Sequence, residues 1–473
     1  MKFTDISFLL FFLPCLILLY YLLPKKLRKV RNGLLLCFSV FFYAFSGARF
    51  LALLMVSILI NYIGGMLAGG PYSAKFRKTA LIVSVALNLL LLGWFKYAGF
   101  FFGIVSDAVG GIAIPQVILP IGISFYTFQG ISYVVDVYKN QVKRQQNPFL
   151  VALYISFFPQ LVAGPIVLYP TIEKELSDRN ESLSQFSEGV IRFSIGLAKK
   201  VLLADVMAKM ADQVFSTDIG SLTTPIAWLG AVAYAFQIYF DFSGYSDMAI
   251  GLGRIFGFRF LENFNFPYIA NSITDFWRRW HISLSSWFRN YVYIPLGGNR
   301  RSAARNIFNL FAVWLLTGLW HGAAWNFVCW GLFFFVFLFG EKYLWGKVLQ
   351  KSPSVLRHGY TLVIVLFSWV IFRSPNMAYA GSFMQIMLGF NAGQGLGESA
   401  LYFLLEYWSE WIACLIISLP VAGWLNARFK KDGSKPSGML LTWAPKLWAL
   451  ALLAFSYMSL VTGSFHPFIY FQF

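Results

Sequence analysis

His321 is the residue whose type and position most clearly predict chemistry in this sequence. It is one of four histidines among 473 residues, and it lies in an uncharged run of 35 residues, 306–340. An ionisable side chain in sequence apolar enough for a membrane interior is costly, and it indicates a functional site. A neutral imidazole suits proton abstraction near neutral pH, so one interpretation of His321 is a general base. The alternative is a buried histidine with satisfied hydrogen bonds.

The neighbours of His321 are expected to shape a site around it. Gly318 and Gly322 have no side chains and should leave the helix surface open beside the imidazole. The residues predicted to supply walls and a hydrogen bond are Trp320, Trp325 and Asn326.

A second group of chemically useful residues occupies positions 276–291. Helical spacing would place Trp277, His281 and Leu284 on one face, with Trp280 beside them. Guanidinium groups offer a fork of donors to phosphates or carboxylates, which gives a possible role to three arginines. These are Arg278, Arg279 and Arg289. The alternatives are an interfacial belt of tryptophan and arginine, and a structural buried histidine.

A third group, residues 237–247, combines carboxylates, hydroxyls and aromatic rings at the end of an apolar run. Its candidate site residues are Gln237, Tyr239, Asp241, Ser243, Tyr245 and Asp247. The two carboxylates would orient a base or a substrate, or would cap helices at the membrane surface. The segment 244–248 lacks the final glycine of a nucleophile elbow, so it predicts no serine nucleophile.

The elements that must position these groups are membrane helices. The chain is 58% hydrophobic and 12% charged, and its long uncharged runs predict an all-α, polytopic membrane protein with roughly ten to thirteen spanning or embedded helices. The net charge of +18 is concentrated in clusters beside these runs. That placement predicts cytoplasmic loops rather than nucleic-acid binding, and it places both termini outside. The four cysteines are isolated, so neither a disulfide nor a metal site is expected.

Three regions are predicted within a single membrane domain. Residues 1–106 are scaffold helices, 107–340 form a tunnel and catalytic core, and 341–473 are carboxyl-terminal helices with an external tail. Proline and glycine interrupt the apolar sequence at 119–130 and 158–165, and such breaks are tolerated where a cavity or protein surrounds them. Residues 186–215 predict an amphipathic helix that lines a vestibule or has a solvated polar surface.

Four motifs in this order resemble the membrane-bound O-acyltransferase superfamily. They are Tyr239-Phe-Asp-Phe-Ser-Gly-Tyr-Ser-Asp247, Trp277-Arg-Arg-Trp-His281, Tyr293-Ile-Pro-Leu-Gly-Gly-Asn299 and Gly318-Leu-Trp-His-Gly322. The resemblance covers essentially the whole chain, including the tail Pro467-Phe-Ile-Tyr-Phe-Gln-Phe473, and is strongest to the bacterial alginate O-acetylase branch.

The resemblance implies a helical tunnel in which a cytosolic thioester meets an acceptor from the other side. His321 corresponds to the catalytic histidine, His281 to the second polar position, and residues 237–247 to the cavity lining. The implied donor substrate is acetyl-CoA, with no bound cofactor. The implied partners are membrane lipids, a secreted or membrane-anchored acetyl acceptor and polysaccharide export machinery, at the bacterial cytoplasmic (inner) membrane.

Three alternatives remain open at this point. One is D-alanyl transfer for teichoic acid modification, with a carrier protein as the donor. Another is a proton-coupled transporter in which His281 and His321 relay protons. The third is a purely structural subunit of an export complex.

Overall fold

The computed structural model describes residues 1–390, 392–393, 400–421, 439–463 and 468. Within these residues the secondary structure is entirely helical, which confirms the predicted all-α class. The helices form two compact units, residues 1–193 with 246–261, and residues 194–245 with 262–473. The helices Leu183–Ala198 and Thr224–Ile255 each run across a boundary between these units.

Five helices in the described part of the chain are long and apolar enough to cross a membrane. They are Ala48–Ala68, Ala74–Val109, Trp325–Tyr343, Ser354–Arg373 and Trp443–Thr462. A sixth span arises if the bent pair Ala400–Glu406 and Trp408–Ile417 is counted as one. The ten to thirteen helices predicted from the sequence included helices that are embedded in the membrane without crossing it. Several of the apolar runs are divided among shorter helices, such as Phe8–Leu22 and Pro148–Ser156.

In the first unit, hydrogen bonds between buried polar side chains connect apolar helices. Asn61 and Asn88 exchange hydrogen bonds of 3.1 and 3.0 Å between the helices Ala48–Ala68 and Ala74–Leu92. Gly130 brings a third helix close, since a Cβ there would lie 2.2 Å from the Asn61 amide. The other α-helices that lie wholly within this unit are Leu13–Leu22, Arg28–Ala44, Ala98–Val109, Ile123–Tyr138, Pro148–Ser156, Phe158–Leu161 and Tyr169–Ser177.

The second unit contains the three predicted groups of functional residues, except for Asp247. Its helices include Asp205–Ser216, Ile273–Arg279, Ile282–Phe288, Ala303–His321, Trp325–Tyr343, Gly346–Lys351, Ser354–Arg373, Met377–Met387, Ala400–Glu406, Trp408–Ile417 and Met439–Thr462. Large aromatic side chains fill its interior, where Trp280, Trp330 and Trp369 are each 1% exposed. Close packing of such rings holds the polar groups described below in fixed positions.

Candidate active site

His321 is the last residue of the helix Ala303–His321, and it is buried. The helix ends there because Gly322 and Ala324 adopt extended conformations before the next helix begins at Trp325. The imidazole packs edge-on against Trp330 at 4.8 Å and Phe372 at 5.3 Å between ring centroids. The histidine therefore occupies the turn of a helical hairpin, enclosed by aromatic rings.

The helix surface beside His321 is closed, which contradicts the opening predicted from its glycines. A Cβ on Gly318 would lie 2.4 Å from the Phe327 carbonyl oxygen, and one on Gly322 would lie 2.2 Å from the Phe327 ring. These glycines instead let the two helices of the hairpin approach closely. Trp325, which was expected to form a wall, is 59% exposed. Trp330 takes that position, one helical turn and a half further along.

Asn326 and Trp320, two further predicted site residues, are both buried near the hairpin turn. The Asn326 amide donates a 3.1 Å hydrogen bond to the carbonyl oxygen of Ser374. This bond ties the start of the helix Trp325–Tyr343 to the end of the helix Ser354–Arg373. Asn326 thus has a structural contact of its own, and any contact with a substrate remains a prediction.

His281 lies at a break between two short helices rather than on a continuous helical face. The helix Ile273–Arg279 ends before Trp280, and Ile282–Phe288 starts after His281, whose φ of 45° is left-handed. The predicted alignment of Trp277, His281 and Leu284 is therefore wrong. A left-handed conformation is unusual for a residue other than glycine, and such residues are concentrated at functional sites.

Asn263 contacts His281 and was missed by the sequence analysis. Its Oδ1 lies 3.2 Å from His281 Nδ1, and its backbone oxygen accepts a 3.0 Å hydrogen bond from the Ile282 amide. His281 is fully buried and lies outside the five candidate spans. Burial lowers its pKa to about 3, so the imidazole is neutral at physiological pH.

Trp320 contacts both histidine rings. Its indole lies 5.8 Å from the His281 ring and 5.0 Å from the His321 ring, between centroids. The two predicted catalytic residues therefore contact the same aromatic side chain. Trp277 and Trp280 are buried nearby, Trp277 against Trp314 at 4.6 Å and Trp280 against Trp369 at 4.9 Å.

The three candidate phosphate-binding arginines differ in their surroundings. Arg279 forms an ion pair with Asp275 at 3.0 Å, one turn earlier in the same helix, and also bonds the Asn265 backbone. Arg278 and Arg289 are exposed. The ion pair gives Arg279 a role in its own helix, whereas contacts with a donor phosphate remain a prediction for all three.

The residues 237–247 lie inside the helix Thr224–Ile255, not at its ends. Helix capping, the alternative proposed for the two carboxylates, is therefore wrong. Tyr239, Asp241, Ser243 and Tyr245 are buried, and Gln237 is half-buried. Tyr239 packs among aromatic rings that include Trp280 at 6.1 Å.

Asp241 belongs to a buried charged cluster that the sequence analysis did not recognise. Its Oδ1 lies 2.7 Å from Lys200 Nζ, and the same Nζ lies 2.7 Å from Asp205 Oδ1. Burial opposes the charged lysine, but Asp241 and Asp205 raise the pKa of Lys200 above its ordinary value. The predicted solvated polar surface over 186–215 is therefore wrong for Lys200 and Asp205, although Glu188 and Lys209 are exposed.

Phe468, within the predicted external tail, is buried beside this cluster. Its ring lies 4.8 Å from Tyr245 and 4.8 Å from Lys200 Nζ. The other residues of the tail lie outside the described part of the chain. A lysine over an aromatic ring gains a cation–π attraction, so Phe468 adds to the environment that keeps Lys200 charged.

Asp247, in the first unit, has a different partner. It forms an ion pair with Arg192, whose Nη2 and Nε lie 2.6 and 2.8 Å from Asp247 Oδ1. Asp241 and Asp247, which were predicted to act together, therefore pair with different cations. Asp247 stabilises the packing of Leu183–Ala198 on Thr224–Ile255.

Comparisons with known proteins agree with the motifs. The profile of the membrane-bound O-acyltransferase family matches residues 140–383, which include both histidines. The probable alginate O-acetylase of Azotobacter vinelandii is 38% identical over all of both chains. The peptidoglycan O-acetyltransferase of Helicobacter pylori is 37% identical over 82% of this chain and 80% of its own. The teichoic acid D-alanyltransferase of Bacillus subtilis is 30% identical over 53% of this chain and 67% of its own.

Proposed function

Because the chain belongs to the membrane-bound O-acyltransferase family and is a multi-pass membrane enzyme of that kind, we propose that it moves acetyl groups onto an exported polysaccharide. The proposed donor is acetyl-CoA in the cytosol, and the acceptor is of the alginate, cellulose or peptidoglycan type. The observation that carries this proposal is the buried His321 at a hairpin turn, joined through Trp320 to the buried His281.

The similarity to other family members supports acetyl rather than D-alanyl transfer. The alginate acetylase of Azotobacter vinelandii aligns along its whole length, and the peptidoglycan acetyltransferase covers 82% of this chain. The D-alanyltransferase of Bacillus subtilis covers 53%. The regions outside the shared core thus resemble acetyltransferases.

The proposed mechanism is direct transfer with His321 as general base. The acceptor hydroxyl attacks the thioester carbonyl while His321 takes the hydroxyl proton. A carbon–oxygen bond forms, the carbon–sulfur bond breaks, and the proton passes from His321 to the departing thiolate. His281 would bind the acceptor or stabilise the developing oxyanion. Trp277, Trp280 and the polar residues from 237 to 245 would line the tunnel in which the substrates meet.

We place the protein in the bacterial cytoplasmic membrane, with both termini outside. Basic clusters follow the first apolar run, at Lys25, Lys26, Arg28, Lys29 and Arg31, and the positive-inside rule places such clusters in the cytoplasm. A secreted or anchored partner would work with the enzyme outside, where the polysaccharide is acetylated. Phe468 is buried, so docking of that partner on the tail would use residues other than Phe468.

The test is a pair of histidine substitutions, His321→Gln and the control His358→Gln. His358 is half-buried and has no part in the proposed mechanism. Its Nδ1 lies 3.1 Å from the backbone oxygen of Ala270. In cells that depend on this chain for polymer acetylation, His321→Gln should lower acetylation by about a hundredfold to ten-thousandfold. His358→Gln should retain it at similar membrane abundance.

Two outcomes would contradict the proposal. One is normal polymer acetylation by an abundant His321→Gln protein, which would show that His321 is not the general base. The other is substrate flux through liposomes containing the purified protein without any acyl donor, which would favour the transporter.

A further inference from the structure

The side chain of Asn263 contacts both His281 and Ser283 through one oxygen atom. Its Oδ1 accepts bonds from the Ser283 backbone amide at 3.1 Å and from the Ser283 hydroxyl at 2.9 Å. The same oxygen lies 3.2 Å from His281 Nδ1. Asn263 is 1% exposed, so these contacts are shielded from water.

The contact with Ser283 identifies which atom of the Asn263 amide faces His281. A backbone N–H only donates, so the atom it meets must be the amide oxygen rather than the NH₂ group. An oxygen of this kind only accepts, so His281 Nδ1 must carry a proton to bond it. In a neutral imidazole the other nitrogen, Nε2, then holds the lone pair.

We propose that Asn263 is a positioning residue that fixes His281 as the Nδ1–H tautomer, so that Nε2 accepts a hydrogen bond from the acceptor substrate. This inference rests on the proposed function and chooses between the two roles considered for His281. A nitrogen with a lone pair cannot donate to the oxyanion of the tetrahedral intermediate. Stabilisation of that oxyanion must therefore come from other groups.

In this arrangement the acceptor must carry a second hydrogen-bond donor besides the reacting hydroxyl. The reacting hydroxyl has one proton, and the proposed mechanism gives that proton to His321. His281 Nε2 therefore accepts from a neighbouring O–H or N–H group of the acceptor. A polyhydroxylated sugar carries such a group, so the arrangement favours acceptors that have a second hydrogen-bond donor besides the reacting hydroxyl.

The backbone and rings around His281 also hold it in one orientation. The Phe242 ring packs edge-on at 4.6 Å, and the left-handed backbone is held by the bond from the Ile282 amide to the Asn263 backbone oxygen. A left-handed conformation is unfavourable for an ordinary residue. Its retention indicates that the surroundings determine the ring position, as preorganised binding requires.

The first experiment reads the tautomer without any catalysis. Nitrogen NMR of the full-length protein with isotope-labelled histidine distinguishes protonated from unprotonated ring nitrogens, and the His281 signals are those lost in His281→Gln. The wild type should show a protonated Nδ1 and an unprotonated Nε2. A protonated Nε2 on a neutral ring would overturn the inference, whatever the activity of the enzyme.

The second experiment separates acceptor binding from oxyanion stabilisation. With acetyl-CoA and alginate oligosaccharides as probes, Asn263→Leu should raise the KM for the oligosaccharide about tenfold and leave the KM for acetyl-CoA unchanged. A fall in kcat alone, with both KM values unchanged, would contradict the inference. If the wild type transfers nothing to this probe, alginate fails as the acceptor in the proposed function, and the NMR result still decides the tautomer.

Two matched variants exclude a general structural effect. Asn265→Leu changes an exposed asparagine two residues away and should leave both KM values unchanged. Ser283→Ala removes one bond to Asn263 Oδ1 but retains the His281 contact, so it should keep the wild-type KM for the oligosaccharide. A tenfold rise in Ser283→Ala would overturn a specific role for the contact between Asn263 and His281.

Discussion

Lys200 and Asp241 form a buried ion pair, with 2.7 Å between Nζ and Oδ1 and side-chain exposures of 2% and 3%. Asp205 shares the same ammonium at 2.7 Å. Two buried carboxylates thus depend on one cation. The pair also fixes the helix Thr224–Ile255, which carries Tyr239 and Phe242 into the environment of Trp280 and His281.

Lys200→Met should strongly destabilise the protein, because it leaves two carboxylates buried without their cation. Loss of one partner from a buried pair typically costs about 3–5 kcal/mol. The thermal midpoint in detergent should fall well below that of the control Lys209→Met, which changes an exposed lysine of the following helix. Adding Asp241→Leu to Lys200→Met should recover part of the loss, whereas additive losses would contradict a coupled pair.

Asp205 should make stability fall as pH rises from about 4 to about 6. Burial raises the pKa of Asp205 from 3.8 to about 6, although Lys200 opposes the change. The folded protein then binds this proton more tightly than the unfolded chain does, so deprotonation between the two values favours unfolding. The thermal midpoint of Asp205→Asn minus that of the wild type should therefore increase over this pH range and remain constant above it.

Asp218→Asn, which changes an exposed carboxylate, provides the matched control for that measurement. The increase over this pH range should be larger for Asp205→Asn than for Asp218→Asn. A pH-independent difference for Asp205→Asn would contradict the raised pKa.

The sequence predicted the helical membrane class, the family and the burial of His321, because apolar run lengths and motifs carry that information locally. It could not predict the partner of Lys200, since Asp241 lies in another helix and a buried ion pair has the same sequence pattern as a solvated surface. It also misplaced His281 on a helical face. That helix is interrupted by contacts with Asn263, 18 residues earlier, which no local periodicity records.

Gly318→Ala should displace His321 by forcing apart the two helices of its hairpin. The new Cβ would lie 2.4 Å from the Phe327 carbonyl oxygen and 3.3 Å from the Gly331 Cα, and both are backbone atoms. Overpacking of this kind costs about 1–3 kcal/mol. We expect a lower thermal midpoint and, because His321 is only three residues away, a loss of acetyl transfer.

Gly359→Ala is the matched control for this substitution, since it changes another glycine inside a helix but meets no atom within 4 Å. Alanine there should raise stability slightly, because it favours the helix by roughly 0.5–1 kcal/mol over glycine. Equal activity and stability of the two variants would contradict a close hairpin contact at Gly318.

Glu341 should prove necessary for the position of Trp277 and His281 although it contacts neither. Its carboxylate accepts hydrogen bonds from the Ile273 amide at 2.6 Å and from the Thr274 amide at 2.9 Å. It also accepts a 2.6 Å bond from the Thr274 hydroxyl. A carboxylate at these amides satisfies the first donors of the helix Ile273–Arg279.

Glu341→Ala removes all three acceptor contacts and should cost about 1–3 kcal/mol, with reduced acetyl transfer because the helix before His281 loses its anchor. Glu341→Gln keeps one acceptor oxygen and should give an intermediate thermal midpoint. The exposed Glu406→Ala should match the wild type in both measurements. If Glu341→Ala kept full activity despite a lower thermal midpoint, the carboxylate would stabilise the fold without positioning the histidine.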